Sequence, residues 1–301
     1  MTISGAARLA GVLGWPIAHS RSPLLHGVWI ARHSLDAAYV PLAVRPEDFA
    51  DVVRAMPRMG FVGANVTSPH KQAAFALADN KDRAAAETGA VNTLIFRDGG
   101  IVGRNTDVPG FLANLRAQVP DWRPDAGLAV ILGAGGSAPA VVSGLLQSGV
   151  ERIALVNRTA AHAQALAERF GERIGIYDWP SLGNLLERAE LLVNTTVLGM
   201  AGMPPLTIEL SMLPPSAVVA DLVYQPLVTP LLHQAQARGL RTVEGLGMLL
   251  YQAQPSFEAW FGICPEVDAD LRARVLARDG TPFEEVAKES GRLRSDKGSR
   301  T

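Results

Sequence analysis

The chain has 301 residues, 48 % of them hydrophobic and 19 % charged, with a net charge of −1. That is an ordinary globular balance with room for two domains of typical size. The scattered Lys and Arg argue against a nucleic-acid footprint or a polybasic membrane surface, and no run of ~18 apolar residues is present to suggest a spanning helix. The single cysteine, Cys264, excludes an intrachain disulfide, and no spaced Cys or His set beside it suggests zinc. A cytoplasmic protein with a small-molecule ligand is expected.

Taken from the N-terminus, Leu9 to Leu13 reads as a buried strand, not as a secretory signal. Only Arg8 is positive before it, and Pro16 with the polar His19-Ser20-Arg21-Ser22 cuts the apolar run short. Further short apolar runs at Tyr39 to Val44, Phe61 to Val66, Leu128 to Leu132, Ile153 to Val156, Leu191 to Val193 and Val218 to Ala220 alternate with amphipathic or Ala-rich segments. This alternation predicts an α/β fold with mostly parallel sheets. Several runs end in Gly, Asn, Ser, Thr or Asp, at the sheet edge where open α/β folds bind ligands.

Four polar clusters lie in the first 107 residues: Ser20 to Pro23, Asn65 to Lys71, Gly89 to Thr93, and Gly103 to Asp107. Each is hemmed by apolar sequence. A pocket lined by hydroxyls and amides suits a polyhydroxylated ligand, because every buried hydroxyl demands a partner.

The strand Leu128 to Leu132 runs into Gly133-Ala134-Gly135-Gly136-Ser137-Ala138, followed by the helical Val141 to Gln147. Gly133 permits the tight turn, Gly135 lets backbone approach a pyrophosphate, and Ala138 keeps the helix close to the sheet. The next strand ends, ~20 residues beyond the glycines, in Asn157-Arg158-Thr159, where an NAD enzyme would place Asp or Glu against the ribose. A carboxylate would repel a 2′-phosphate and Arg158 attracts it, with hydrogen bonds from Asn157 and Thr159, so NADP is the expected cofactor. Because this unit begins well inside the chain, a separate substrate domain must precede it. Gly247 to Phe261 reads as a helix that Pro255 would kink or break, and the polar stretch from Arg278 onward predicts a disordered tail.

In order, Gly14 to Pro23, Asn65 to Lys71, Gly89 to Thr93, Asn105-Thr106-Asp107, the glycine turn with Asn157-Arg158-Thr159, and Gly245 to Ala253 resemble the shikimate dehydrogenase family. Asn194 to Met200 and Asp221 to Tyr224 fall between them as in that family. The resemblance implies a substrate domain over residues 1–107, a Rossmann-like NADP domain over 108–245, helices at 246–277 returning to the first domain, and the tail at 278–301. It implies reversible reduction of 3-dehydroshikimate to shikimate by NADPH in a monomer or homodimer, with Lys71 as the proton donor and acceptor beside Asp107. Ser20 and Ser22 are implied on the substrate carboxylate, Thr67, Asn92 and Gln252 on its hydroxyls, and Tyr224 nearby. Thr195, Leu222 and Gly245 are implied beside the nicotinamide.

Two positions depart from the family: His162 stands where a second Arg is common, which weakens the expected 2′-phosphate selectivity, and Gly27 replaces a common Asn. His19, His26 and His70 have no carboxylate or Cys at metal spacing and are read as structural or peripheral. The alternatives are a quinate or shikimate dehydrogenase using NAD, against which the missing acid at Asn157 speaks, and a non-catalytic sensor of NADP or an aromatic-pathway acid, against which Lys71 and Asp107 speak.

Overall fold

A computed structural model describes residues 3–277; the tail expected to be disordered lies outside these. The first part of the chain runs β1 (Arg8–Gly14), α1 (Ser22–Arg32), β2 (Ala37–Ala43), α2 (Phe49–Ala55), β3 (Phe61–Val66), α3 (Lys71–Leu77), β4 (Asn80–Lys81), α4 (Arg83–Thr88), β5 (Thr93–Arg97) and β6 (Gly100–Arg104). Its strands form one sheet in the order β2-β1-β3-β5-β6-β4. The pairs β1 with β2, β1 with β3, and β4 with β6 are parallel, whereas β5 is antiparallel to both β3 and β6. The antiparallel pair β5 and β6 is closed by Asp98 and Gly99, both at positive φ (52° and 76°), the Asp-Gly signature of a tight hairpin.

Next come α5 (Asp107–Gln118), β7 (Leu128–Leu132), α6 (Ala138–Ser148), β8 (Ile153–Val156), α7 (Ala160–Phe170), β9 (Ile174–Tyr177), α8 (Leu182–Leu186), β10 (Ala189–Asn194), β11 (Val218–Asp221), α9 (Pro230–Ala237) and β12 (Arg241–Val243). The second sheet has the order β12-β11-β10-β7-β8-β9 with every pair parallel. Its central strands are near-continuous apolar runs, as a sheet covered on both faces requires. Separate apolar clusters occupy its two faces, one including Ile131, Leu155 and Val193, the other Val130, Leu192 and Val219.

The chain ends, within the described residues, in α10 (Leu246–Phe261) and α11 (Ala269–Leu276). Leu246, Leu250, Ala253, Phe257 and Trp260 join the core of Val12, Trp29 and Tyr39, so α10 packs on the first sheet. Of the kink or break expected at Pro255, the break does not occur: the helix runs from Leu246 through Pro255 to Phe261. An interior proline costs about 3 kcal/mol, but burying Phe257, Trp260 and Phe261 beyond it returns roughly 2 kcal/mol or more per side chain. Gly63 makes this docking possible, since a Cβ there would lie 2.0 Å from the Trp260 indole nitrogen, which donates to the Leu94 carbonyl at 2.9 Å.

Helices α5 and α10 cross where a Cβ at Gly110 would stand 2.6 Å from Gln252 Cβ and 2.9 Å from its backbone. Helix α5 itself links the two sheets, with Asp107 at its first turn and Phe111, Leu112 and Leu115 in the core beneath the second sheet.

This packing yields two expectations for stability. Gly110→Ala gains up to ~1 kcal/mol of helix propensity, but overpacking against backbone costs about 1–3 kcal/mol, so the variant should have a lower urea midpoint than the parent; an unchanged or higher midpoint would refute the crossing geometry. His26 is fully buried, stacked on Tyr39 at 4.0 Å, and neither ring nitrogen has a hydrogen-bond partner. Burial therefore lowers its pKa from 6.5 to about 3. The unfolded chain takes up a proton below pH 6.5 that the folded chain refuses, so this residue's stabilising contribution is complete above 6.5 and is lost as pH falls toward 3, by up to about 5 kcal/mol. His26→Phe should shift acid unfolding to lower pH, read by circular dichroism.

Candidate active site

Strands β1 and β3 end side by side, and the segments leaving their carboxyl ends supply one wall of a cleft of about 230 Å³. The wall carries Ser20 and Ser22 after β1, and Asn65, Thr67 and Lys71 at the end of β3 and the start of α3. Asn92 precedes β5, Asp107 begins α5, and Gln252 enters from α10, so separate stretches of chain converge. The opposite wall belongs to the second sheet: Ser137 at the start of α6, Leu222 and Tyr224 after β11, and Gly245 before α10.

The centre of the cleft is a pair. Lys71 Nζ donates to Asp107 Oδ2 at 2.6 Å, with the side chains 20 % and 11 % exposed, so the contact is partly shielded from water yet open to the cleft. Asp107 is the first helical residue of α5 rather than its cap, and its other oxygen accepts from Asn92 Nδ2 at 2.9 Å. Asn92 is held in turn, because its Oδ1 accepts from Thr106 N at 2.8 Å and its Nδ2 reaches Thr106 Oγ1 at 2.9 Å and Gln252 Oε1 at 3.4 Å. Behind it, Asn65 Nδ2 donates to Thr93 Oγ1 and Ser256 Oγ at 3.1 Å each, and its Oδ1 accepts from Tyr39 Oη at 2.7 Å. Buried polar groups fully paired in this way fix one geometry.

His70 anchors the start of α3 through an Nε2 contact to the Val44 carbonyl at 2.8 Å and stacking on Phe49. It steadies Lys71 without entering the cleft. His19, by contrast, is exposed on the cleft wall. Sequence reasoning left out Val12, Val66, Met248 and Leu249, which line the cleft. Val12 and Val66 read as core strand residues, and Met248 and Leu249 sit inside the Gly245 to Ala253 run without polar chemistry to mark them.

The glycine turn after β7 has Gly133 at φ +97°, where a side chain would be strained, and Gly135 and Gly136 face open space on the side a Cβ would fill. Ser137 does not cap its own helix. A bare turn at a helix N-terminus is the arrangement that accepts a pyrophosphate, and the residues present fit a dinucleotide. Asn157 ties the turn to the end of β8, accepting from Ala134 N at 3.1 Å and donating to the Thr159 carbonyl at 2.7 Å, so its amide supports the loop. Arg158, Thr159 and His162 are exposed at the start of α7, outside the cleft lining. Thr195 is turned inward, its hydroxyl donating to the Leu132 carbonyl at 2.8 Å. Gly245 lies so close to the end of β11 that a Cβ would meet the Leu222 carbonyl oxygen at 2.3 Å.

Asp221, buried at the end of β11, accepts from Asn194 Nδ2 at 2.9 Å, Val223 N at 3.0 Å and Thr229 Oγ1 at 2.7 Å. Burial nevertheless raises its pKa to about 6. Its bonds shape the loop that carries Leu222 and Tyr224. Among the described residues no group of three or more His, Cys, Asp or Glu could hold a metal ion, and no helix is long and apolar enough to cross a membrane.

Comparison with known proteins matches three family models in order: the shikimate dehydrogenase substrate-binding domain at residues 12–94, shikimate/quinate 5-dehydrogenase at 123–201, and the shikimate 5′-dehydrogenase C-terminal domain at 245–273. The shikimate dehydrogenase (NADP(+)) of Paracoccus denitrificans is 57 % identical over 272 residues, covering 90 % of this chain and 96 % of the relative. Among solved structures, shikimate 5-dehydrogenase from Thermus thermophilus in complex with NADP(H) and shikimate aligns with a TM-score of 0.79 at 35 % identity, over 89 % of this chain and 98 % of that one. Quinate dehydrogenase from Corynebacterium glutamicum in complex with NAD aligns with a TM-score of 0.83 at 29 % identity, over 90 % and 99 %. Sharing more than half of its residues with such a relative over nine-tenths of its length, and folded into two sheets around one cleft, the chain belongs to the shikimate dehydrogenase family.

Proposed function

We propose that this chain is an NADP-dependent oxidoreductase that interconverts 3-dehydroshikimate and shikimate, with Lys71 as the proton donor and acceptor and Asp107 as its partner. The observation that carries the reading is the Lys71 to Asp107 contact of 2.6 Å in a cleft whose far wall is made by Ser137, Leu222 and Gly245 of the dinucleotide-binding sheet. Proton donor and hydride donor then face one space.

When bound, NADPH supplies the hydride that reduces the ketone carbon. The ketone oxygen gains the electron pair of its former π bond, and the Lys71 ammonium gives it a proton, leaving a neutral amine; in the reverse direction the amine takes the hydroxyl proton. Asp107 holds Lys71 in place and balances its charge, while Asn92 fixes the carboxylate by its second oxygen. Ser20 and Ser22 offer hydroxyl donors for the substrate carboxylate, and Thr67 and Gln252 offer partners for its ring hydroxyls. Asn92 is already engaged with Asp107 and Thr106, so its place in this reading is at least as much to orient the carboxylate as to meet the substrate. Gly133 to Ala138 would receive the pyrophosphate and Arg158 the 2′-phosphate, with His162 beside it at the start of α7.

Lys71→Ala should lower kcat by about 10²- to 10⁴-fold, the usual contribution of a positioned proton donor, while shikimate affinity measured by calorimetry stays within a few-fold; a variant as fast as the parent would sink the mechanism. Arg158→Ala should lower kcat/KM for NADPH by about tenfold or more, the worth of a charge-assisted hydrogen bond, and leave NADH nearly unchanged. Steady-state rates of the parent with shikimate and quinate and with both cofactors decide the substrate, and a clear preference for quinate with NAD would overturn this reading.

A further inference from the structure

Helix α4 of the first sheet lies against α6, the helix that begins at the glycine turn, and one carboxylate of α4 makes hydrogen bonds across the contact. Glu87 Oε2 accepts from Ser143 Oγ at 2.7 Å and from Gln147 Nε2 at 2.8 Å, both on α6. Its other oxygen accepts from Arg83 Nε at 2.6 Å within α4. Gln147 also donates to Ser143 at 3.0 Å, so the two acceptor oxygens and the donors facing them form a closed set. Ser143 is buried although it is polar and mid-helix. On the same side, the Arg169 guanidinium of α7 packs over Gly89, the left-handed residue that ends α4, so closely that a Cβ there would lie 2.2 Å from it.

The end of α4 is also joined to the reacting pair by a short path. Thr88 Oγ1 accepts from Asn105 Nδ2 at 2.9 Å, and Asn105 Oδ1 accepts from Asp107 N at 3.0 Å. Just beyond Gly89 the chain reaches Asn92, which holds the Asp107 carboxylate. On the other side of the clasp, Ser143 lies six residues along α6 from Ser137, about 9 Å of rigid helix, and Ser137 lines the cleft opposite Lys71. The clasp thus joins two arms, one ending at the proton donor and the other at the cofactor's helix, and adds to the direct packing of α5 on α6, where Gly144 lies against Phe111 and Leu112.

We propose that Glu87 is a positioning residue: by clasping α6 through Ser143 and Gln147, it sets the separation between the dinucleotide-binding helix and the Lys71 and Asp107 pair that hydride transfer requires. This rests on the function proposed above. A reacting pair misplaced by a fraction of an ångström loses rate without losing either ligand, because each ligand is held mainly by its own sheet.

The test uses the full chain with Glu87→Ala, Glu87→Gln and Ser143→Ala. In Glu87→Ala, kcat should fall about tenfold, as for loss of a charged hydrogen-bond acceptor with two donors, and the primary isotope effect with deuterated NADPH should rise. Affinities for NADPH alone and shikimate alone should stay within about twofold, because the contacts to each ligand are left in place. Ser143→Ala should reproduce the loss in part, and Glu87→Gln, which keeps one acceptor oxygen, should recover part of it. Unchanged kcat in Glu87→Ala overturns the proposal, and so does a loss of NADPH affinity equal to the loss of kcat, since Glu87 would then shape α6 itself. Hydrogen exchange at the α4 and α6 amides needs no substrate and should quicken in Glu87→Ala. If the parent chain failed to oxidise shikimate, the function proposed above would fall, while the exchange result would still support or refute the clasp.

Discussion

Asp107 must satisfy two demands at once, and the molecule is arranged around them. Its carboxylate has to sit against Lys71 of the first sheet, and its backbone has to start α5, whose later turns are buried beneath the second sheet. A residue tied to both sheets fixes the cleft by construction. The cost of bringing an ammonium and a carboxylate partly out of water is offset by their short contact and by the donor from Asn92 on the free oxygen, the condition under which a shielded ion pair holds. The Asn65, Thr93 and Ser256 network behind Asn92 then removes the remaining freedom.

Much of this was legible in the sequence because its signals are local. A strand running into Gly133-Ala134-Gly135, with the next strand ending in Asn157-Arg158-Thr159, carries its own order and spacing, and the polar clusters around Ser20, Thr67, Asn92 and Asp107 stand out against apolar flanks. What remained hidden depends on residues far apart. Nothing near Gly63 announces that Trp260 will lie on it, and nothing near Pro255 says that the aromatic residues beyond it bury enough surface to carry the helix through. Met248 and Leu249 line the cleft with apolar surface, which in a sequence is indistinguishable from core.

The same distinction separates the residues expected at the cofactor. Arg158 and His162 are exposed where the strand end predicts, whereas Asn157 and Thr195 turn inward to the loop backbone. A polar residue at a ligand-binding edge has two possible duties, contact and support, and only the direction of its hydrogen bonds tells them apart. Glu87 is the extreme case, since on sequence it is one more charge on an Ala-rich helix.

The exposed end of β8 carries one last implication. Because Arg158, Thr159 and His162 stand outside the cleft lining, the function proposed above would have nucleotide and acid chosen by sets of side chains with no member in common. On that reading each set could change without perturbing the other, and an exchange of coenzyme would need only surface changes at a helix start, with the hydroxyls and amides of the cleft left as they were.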